Sequence, residues 1–267
     1  MSTKKLGSQT IKFENPPSII GTASIVGPKE GQGRFKDYYD LILKDNIYKE
    51  GSWEKAEIKI LKEAVEMAIK NSNIPTGEVE YLIAGDLLNQ IISAGFAARE
   101  LGMPFFGIYG ACSTMTEGVA LGSVLIDGGF AENVVAAASS HFCTAERQFR
   151  FPLELGNQRS PTSQWTVTGA GAMVLSSKRQ NPRVTLATIG RVIDMGESDS
   201  NDMGTAMAPA AVDTIVKHFK DAGRNPDVYD LIITGDLGSI GKEITEELLK
   251  QKGYDVSNKF TDCGVMI

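Results

Sequence analysis

"GIYGACSTMTEGVALGSVLIDGG", residues 107–129, joins a predicted strand to a predicted amphipathic helix through a turn with a single cysteine. The strand ends at Gly110, and the helix opens at Ser113. Small residues line one face of the helix, which predicts close packing against a sheet. Cys112 lies at the predicted helix N-terminus, where backbone N–H groups and the helix dipole favour a thiolate. The turn indicates either a cysteine nucleophile or a buried structural cysteine.

Strands and helices alternate on both sides of this turn. Strands are predicted over 18–28, 80–88, 105–110, 133–140 and 169–178, and helices over 53–73, 89–102 and the segment after Cys112. Residues 141–168 are predicted as a polar loop. This alternation predicts an α/β fold whose sheet is largely parallel and covered by helices on both faces.

A short motif occurs twice in the chain. "LIAGDL" (82–87) recurs as "IITGDL" (232–237), and each copy follows a helix and a connector that contains a proline. The repeat predicts a duplicated fold with halves at 1–180 and 181–267, although two unrelated strand–helix units would also look alike. A strand over 183–196 is predicted before the second copy, which reaches Ile267 inside its third strand. Compared with the first copy, about 70 residues of the second half are therefore expected to be absent.

Composition narrows the functional classes. The chain has 267 residues and a net charge of −6, which argues against a general nucleic-acid binder. No run of 18 apolar residues is present, and the N-terminal residues lack the apolar core of a signal peptide. The three cysteines are widely spaced, which suits a reducing compartment and offers no CxxC metal site.

Two histidines are available as a base for Cys112. His141 ends the strand over 133–140, at the sheet edge where α/β proteins place their sites. It is either a base or an imidazole satisfied at a strand end. His218 lies within an amphipathic helix, which predicts a surface or boundary residue.

The segment after His141 is rich in arginine, amide and aromatic side chains. It contains Arg147, Arg150, Arg159, Gln164 and Trp165. Guanidinium groups and aromatic rings together suit a planar carboxylate ligand, and a well-packed interface loop is the alternative.

Three stretches together resemble the thiolase superfamily: "VGP" (26–28), the region over 85–129, and "TGAGAMVL" (168–175). The resemblance covers nearly the whole chain. It implies a duplicated αβαβα sandwich with mixed five-stranded sheets and a homodimer, and it places Cys112 at the nucleophile position. The place at which the enzymes carry a second catalytic residue reads "IITGDLGSIG" (232–241) and contains no histidine. Loss of a general base lowers such a rate by roughly 10²–10⁴-fold.

The strings over 110–118, 137–159 and 164–172 are similar to a branch of that superfamily that acts in bacterial sporulation. This resemblance implies a non-catalytic protein that binds dipicolinic acid (pyridine-2,6-dicarboxylate) and works with membrane proteins of a sporulation channel complex. It also implies peripheral attachment at the cytoplasmic side of the forespore or spore inner membrane. No cofactor is implied, apart from Ca²⁺ carried with the ligand.

The ligand-binding residues that this resemblance implies are Gly110, Ala111, Cys112, Ser113, His141, Arg150, Gln164, Trp165 and Thr166. The site is expected to be floored by helix N-terminal amides at Cys112 and Ser113. Two alternatives stay open at this point. One is an acyltransferase or ketoacyl synthase with Cys112 as nucleophile and His141 as base, and the other is a dimeric scaffold for the membrane complex.

Overall fold

The structure is a computed structural model and describes residues 4–149, 162–199 and 201–267. These residues form two units. We call residues 13–149 and 166–185 the sheet unit, and residues 4–12, 162–165, 186–199 and 201–267 the C-terminal unit. The predicted boundary between halves at residue 180 stays a prediction.

Eleven strands and seven α-helices occur in the described residues. The strands are β1 (Lys5–Leu6), β2 (Thr10–Lys12), β3 (Ser18–Val26), β4 (Leu41–Ile42), β5 (Tyr81–Gly85), β6 (Phe105–Gly107), β7 (Asn133–Ser140), β8 (Gly169–Ser176), β9 (Leu186–Thr188), β10 (Ile232–Thr234) and β11 (Phe260–Asp262). The helices are α1 (Trp53–Ser72), α2 (Ile92–Leu101), α3 (Thr114–Asp127), α4 (Phe142–Phe149), α5 (Met203–Ala222), α6 (Gly238–Gln251) and α7 (Cys263–Met266).

The sheet unit holds a mixed sheet with the strand order β4-β3-β8-β7-β5-β6. Its five main strands match the expected number, and the two-residue β4 extends one side. The expectation of a largely parallel sheet fails at β8, which is antiparallel to both β3 and β7. Ser140 at the end of β7 pairs with Gly169 at the start of β8, so β8 enters the sheet where β7 leaves it. We call this side, where β3, β5, β6 and β7 end, the carboxyl edge.

Helices cover both faces of the sheet. Along β7, Val135 packs into the core on the α1 and α2 side, whereas Val134 packs with Ile126 of α3 on the other. This alternation follows from the two-residue period of a strand. Burying each Val, Leu or Ile side chain contributes about 1.5–3 kcal/mol, so the two apolar layers fix where the strand ends lie.

The helix boundaries follow local sequence signals. The Ser52 hydroxyl accepts the Lys55 N–H at the start of α1, and Asn73 ends that helix in the left-handed region at φ +58°. Gly102 ends α2 in the same conformation, at φ +68°. Serine, asparagine and glycine stabilise these positions by satisfying end groups or tolerating a positive φ.

The C-terminal unit contains an antiparallel β1-β2-β9 sheet and a parallel β10-β11 pair. The second half therefore shows no five-stranded sheet among its described residues. Helices α5 and α6 pack closely at Gly204 and Gly241, where an added Cβ on Gly204 would meet the Gly241 nitrogen at 3.0 Å. Their core includes Leu249 and Phe260.

Three local predictions need correction. The strand predicted over 183–196 is limited to Leu186–Thr188, because its partner β2 begins at Thr10, which pairs with Thr188 and so ends the ladder there. The third strand of the second half ends at Asp262, whose side chain accepts the Gly264 N–H and begins α7. The predicted polar loop after His141 opens with α4, whose buried Thr144 and Ala145 anchor it.

Candidate functional site

The carboxyl edge gathers the polar residues that follow the strands. Asp86 comes directly after β5, Cys112 lies in the turn after β6, and His141 comes directly after β7. The strand order places β5 between β7 and β6, so Asp86 follows the strand between the other two. Each of these three strands is therefore followed by one polar residue at the carboxyl edge, as expected for the site of an α/β protein.

Cys112 lies in a one-turn 3-10 helix over Ala111–Ser113, and its side chain is exposed. The alternative of a buried structural cysteine is therefore wrong. The Gly110 N–H donates to the Thr114 hydroxyl at 3.1 Å, and the Ser113 N–H and hydroxyl both donate to the Gly110 carbonyl at 2.9 Å. The Ser113 amide is thus engaged inside the turn.

Ala111 holds this turn in an uncommon backbone conformation, with φ +46°. A non-glycine residue in the left-handed region costs about 1–3 kcal/mol and persists where surrounding contacts fix it. An added Cβ at Gly110 would lie 2.5 Å from both the Ser113 hydroxyl and Glu117 Oε2. The turn is therefore compact, and it presents the Cys112 thiol to solvent.

His141 is fully buried, and both of its ring nitrogens have partners. Nδ1 accepts the Cys143 backbone N–H at 3.2 Å. Nε2 must then carry the hydrogen, which it donates to the Asn46 carbonyl at 2.7 Å. Burial lowers the pKa of His141, while the Asn46 carbonyl and Glu30 oppose that shift. As placed, His141 is a neutral imidazole with no free nitrogen to accept a proton from Cys112.

His218, in the C-terminal unit, also has a hydrogen-bond partner at each ring nitrogen. Its Nδ1 lies 2.7 Å from the Thr188 hydroxyl, and its Nε2 lies 2.6 Å from the Tyr229 hydroxyl. Burial, followed by the charge of Arg224, lowers the pKa of His218. It is a boundary residue, as predicted, and both nitrogens serve the packing of α5.

A buried carboxyl pair under the carboxyl edge was not anticipated from the sequence. Glu57 of α1 and Asp86 are 1% and 2% exposed. Ser139 and Thr144 donate to Glu57 at 3.0 and 3.1 Å. The only sequence signal is a glutamate placed three residues before Ile60, inside the apolar stripe of α1.

A cavity of about 320 Å³ opens beside this pair. Its lining residues are Glu54, Leu88, Asn89, Ile92, Thr144, Arg147 and Gln148. Arg147 forms an ion pair with Glu54 and lies 6.0 Å from the centre of the Trp53 ring. Arg150 and Arg159, which the sequence placed in the same arginine-rich segment, lie outside the described residues.

The remaining predicted ligand residues are divided between the units. Gln164 and Trp165 belong to the C-terminal unit, and Thr166 to the sheet unit. The Gln164 side-chain amide donates to the Asp236 carbonyl, and the Trp165 side chain is 37% exposed. Burial, and then the charge of Asp262, raises the pKa of Asp236 to about 6. Within the sheet unit, the structure brings Gly110, Ala111, Cys112 and Ser113 together in one turn.

Two further properties concern the described part of the chain only. There, no group of three or more histidine, cysteine, aspartate or glutamate side chains could hold a metal ion. No helix in the same ranges has the length and hydropathy needed to cross a bilayer.

Comparison with known proteins gives a family and a fold. The family model for stage V sporulation protein AD matches residues 7–267. The stage V sporulation protein AD of Bacillus subtilis (strain 168) is 46% identical over 264 residues, which are 99% of this chain and 78% of that protein.

Solved structures share the fold at low identity. OleA E117D from Xanthomonas campestris bound to cerulenin has a TM-score of 0.66 and 18% identity, and the match covers 94% of this chain and 83% of that one. The 3-oxoacyl-[acyl-carrier-protein] synthase III of Aquifex aeolicus VF5 has a TM-score of 0.59 and 16% identity, with 92% and 83% covered. These matches confirm the thiolase-like α/β fold.

Proposed function

The chain belongs to the stage V sporulation protein AD family and so to the proteins of sporulation, and on this premise we propose that it binds dipicolinic acid without catalysing acyl transfer. Its role is uptake of this ligand into the developing spore with membrane partners. The fold resembles that of the 3-oxoacyl-[acyl-carrier-protein] synthase III of Aquifex aeolicus VF5, but the proposed role is binding rather than acyl transfer.

The state of the two histidines is the observation that carries the proposal. A cysteine acyltransferase needs a base that takes the thiol proton. His141 is buried, neutral and bonded at both nitrogens, and His218 has a partner at each nitrogen too. The segment over 232–241 contains no histidine. The nucleophile position is therefore kept without an imidazole placed to activate it.

The Cys112 turn supports binding of a small anion. It opens the 14-residue helix α3, whose N-terminus carries a partial positive charge. Dipicolinate is a flat dianion, so its carboxylates gain from this field. The Cys112 and Ser113 side chains are exposed at that point. His141 has no exposed surface, so its part is to hold α4 and the Asn46 segment in place.

The arginine and aromatic residues complete the proposal. Four further residues are proposed as ligand contacts because they lie in strings that are similar to the family. These are Gln164, Trp165 and Thr166 in the string over 164–172, and Arg150 in the string over 137–159. An indole ring and an amide are groups that bind a planar heteroaromatic acid. Ca²⁺ is part of the proposal only as an ion that is carried with dipicolinate.

Pairing of two copies through β6 is part of the same proposal. β6 is the outer strand of the sheet, and Phe106 on it is 47% exposed. Tyr109 beyond it is 52% exposed, and Phe96 of the adjacent α2 is 41% exposed. An edge strand with apolar side chains is completed by a two-fold pairing with a second copy. Phe106→Glu should convert a dimer to a monomer in size-exclusion chromatography with light scattering, whereas a wild-type monomer would contradict this part.

The membrane partners are proposed to be the other proteins of the stage V sporulation channel complex. Attachment then occurs through protein contacts at the cytoplasmic side of the forespore or spore inner membrane. Flotation with vesicles tests this point: protein-free vesicles should leave the chain in solution, and vesicles that carry the partners should retain it.

Thiol protection distinguishes the binding protein from the enzyme. Dipicolinate should slow iodoacetamide labelling of Cys112 and leave labelling of Cys143 unchanged, because only Cys112 lies in the proposed site. An acyl-CoA should form no acyl-enzyme and show no turnover. Labelling blocked by acyl-CoA, with turnover, would instead establish the acyltransferase alternative. Equal labelling with and without dipicolinate would contradict the proposed site.

A further inference from the structure

The buried pair of Glu57 and Asp86 joins four elements of the sheet unit. Glu57 lies on α1, and Asp86 follows β5. Glu57 Oε1 accepts the Ser139 hydroxyl from β7, and Oε2 lies 3.1 Å from the Thr144 hydroxyl of α4, which can also donate to the His141 carbonyl at 3.0 Å. A change in the charge of Glu57 therefore acts where α1, β7, α4 and the end of β5 meet.

Asp86 is fixed by the backbone of the turn that follows it. Its two oxygens accept the Leu88 and Ala94 N–H groups, both at 2.7 Å. Ala94 lies in the first turn of α2, so Asp86 acts as a cap for that helix. Like charge on Glu57 would act directly on this cap.

In the ranges that the structure describes, no cationic side chain acts on Glu57 or Asp86 to compensate two negative charges. Burial and then the charge of Asp86 raise the pKa of Glu57 to about 7, while the hydroxyls of Ser139, Thr144 and Ser93 lower it. Strands β3, β7 and β8, which pack against α1, contain no charged side chain. The charged residues of α2 and α4, the helices that also contact α1, are Arg99, Glu100, Glu146 and Arg147. Arg99 is 68% exposed, and Arg147 is paired with Glu54.

Ser93 is a third hydroxyl beside Glu57. Its side chain is fully buried and close enough to act on Glu57, but its Oγ meets no group of the described residues at full hydrogen-bond geometry. A hydroxyl can accept a hydrogen bond from a carboxylic acid or donate one to a carboxylate. A small rotation of Ser93 therefore satisfies Glu57 with or without its proton.

We propose that Glu57 and Asp86 form a proton-operated switch under the carboxyl edge. With one proton held on Glu57, the pair carries a single charge, and α4 and the start of α2 are held firmly. Loss of that proton places two like charges in a buried site and loosens both elements. Because Leu88 and Thr144 also line the 320 Å³ cavity, the switch changes the walls of that cavity.

The sign of the pH effect follows from the direction of the shift. The unfolded chain releases the Glu57 proton near the ordinary value of 4.5, whereas the folded protein keeps it up to about 7. Between these values the folded state binds more protons, so stability falls as pH rises. The unfolding equilibrium constant should rise by up to about a few hundredfold across this window and become independent of Glu57 above it.

Urea unfolding and hydrogen exchange of the whole protein, at about pH 5, 7 and 8.5, test the switch, since these values bracket the titration. Glu57→Gln should remove the fall in stability and leave exchange in α4 and the start of α2 independent of pH, after correction for the intrinsic rate. Glu66→Gln is the matched control, because Glu66 lies on α1 with a half-exposed side chain. It should follow the wild type.

Parallel pH profiles of wild type and Glu57→Gln would overturn the proposal. If Glu57→Gln fails to fold, Ser139→Ala provides the test: loss of a donor to the carboxylate should move the titration to higher pH, and an unmoved titration would overturn it. Added Ca²⁺ or K⁺ provides another test. If either ion stabilises the wild type at high pH but not Glu57→Gln, the cluster is a cation site and the proton switch is wrong.

Discussion

Asp262 offers a sharp test of how the second half is held together. Its side chain is completely buried, and four donors converge on it. Oδ2 accepts the Thr234 hydroxyl at 2.7 Å and the Leu237 N–H at 2.9 Å. Oδ1 accepts the Gly238 N–H at 3.1 Å and the Gly264 N–H at 2.9 Å. One carboxylate therefore joins β10, β11, α6 and α7.

Asp262→Asn keeps the shape but removes the charge and one acceptor. If Oδ1 becomes the NH₂ group, the Gly238 and Gly264 N–H groups lose their acceptor. If Oδ2 does, only the Leu237 N–H loses its acceptor, because the Thr234 hydroxyl can donate to the Thr261 carbonyl at 3.3 Å and accept from the NH₂ group. This second orientation is the cheaper one: the unpaired N–H costs about 1–3 kcal/mol, and the two bonds to Oδ1 lose about 1 kcal/mol each because their acceptor is no longer charged. Relief of the repulsion with Asp236 returns about 1 kcal/mol, and the expected net loss is about 2–4 kcal/mol.

Urea unfolding followed by circular dichroism measures this loss, and hydrogen exchange over residues 235–251 localises it. Asp236→Asn is the control, because Asp236 is the neighbouring carboxyl and its pKa is raised to about 6. At higher pH that substitution removes a poorly solvated charge, so stability should hold or rise. The reasoning is refuted if Asp262→Asn loses less than about 1 kcal/mol, or if both variants lose equally.

Three further outcomes are expected. Gly85→Ala should lower stability by about 1–3 kcal/mol in urea, since the new Cβ would lie 2.0 Å from the Ile108 carbonyl oxygen; wild-type stability would contradict the close approach. Because the pKa of His218 is lowered on folding, stability should fall as pH drops below its ordinary value of 6.5, and His218→Gln should flatten that acid limb. Ellman's reagent should react with Cys112 before Cys143, whose pKa is raised by burial and Glu146; equal rates would contradict the exposure of the turn.

Local signals in the sequence were enough to place most of the sheet unit. Strand β7 matches its predicted bounds, and helices α1 and α2 end next to Asn73 and Gly102. These features depend on residues close together in the chain, such as a capping side chain or an apolar stripe. The direction of β8 depends on its pairing with β3, which is distant in the sequence. The alternation of strands and helices therefore could not predict that direction.

The predictions were wrong where polar residues close together in the sequence concealed a helix or a turn. Helix α4 carries charged residues on its exposed side, and only the spacing of Phe142, Ala145 and Phe149 indicated a helix. The turn after Asp262 depends on one side-chain hydrogen bond to Gly264, which no periodicity reveals.

The sequence predicted where the candidate site lies, but it did not show which of its side chains already have hydrogen-bond partners. A Gly-Ala-Cys sequence between a strand and a helix located the Cys112 turn. The bond between His141 and the Asn46 carbonyl joins residues 95 positions apart, so whether that imidazole is free could only come from the fold. The partners of Glu57 likewise lie on elements far along the chain.

Calorimetric titration of dipicolinate into the protein tests the central claim most directly. Benzoate serves as the ligand control, and Cys112→Ala and Cys143→Ala as the matched variants. The account predicts saturable binding of dipicolinate, at least about tenfold weaker binding of benzoate, and a similar loss on Cys112→Ala but not on Cys143→Ala. Equal, weak binding of both acids by all three proteins would contradict it.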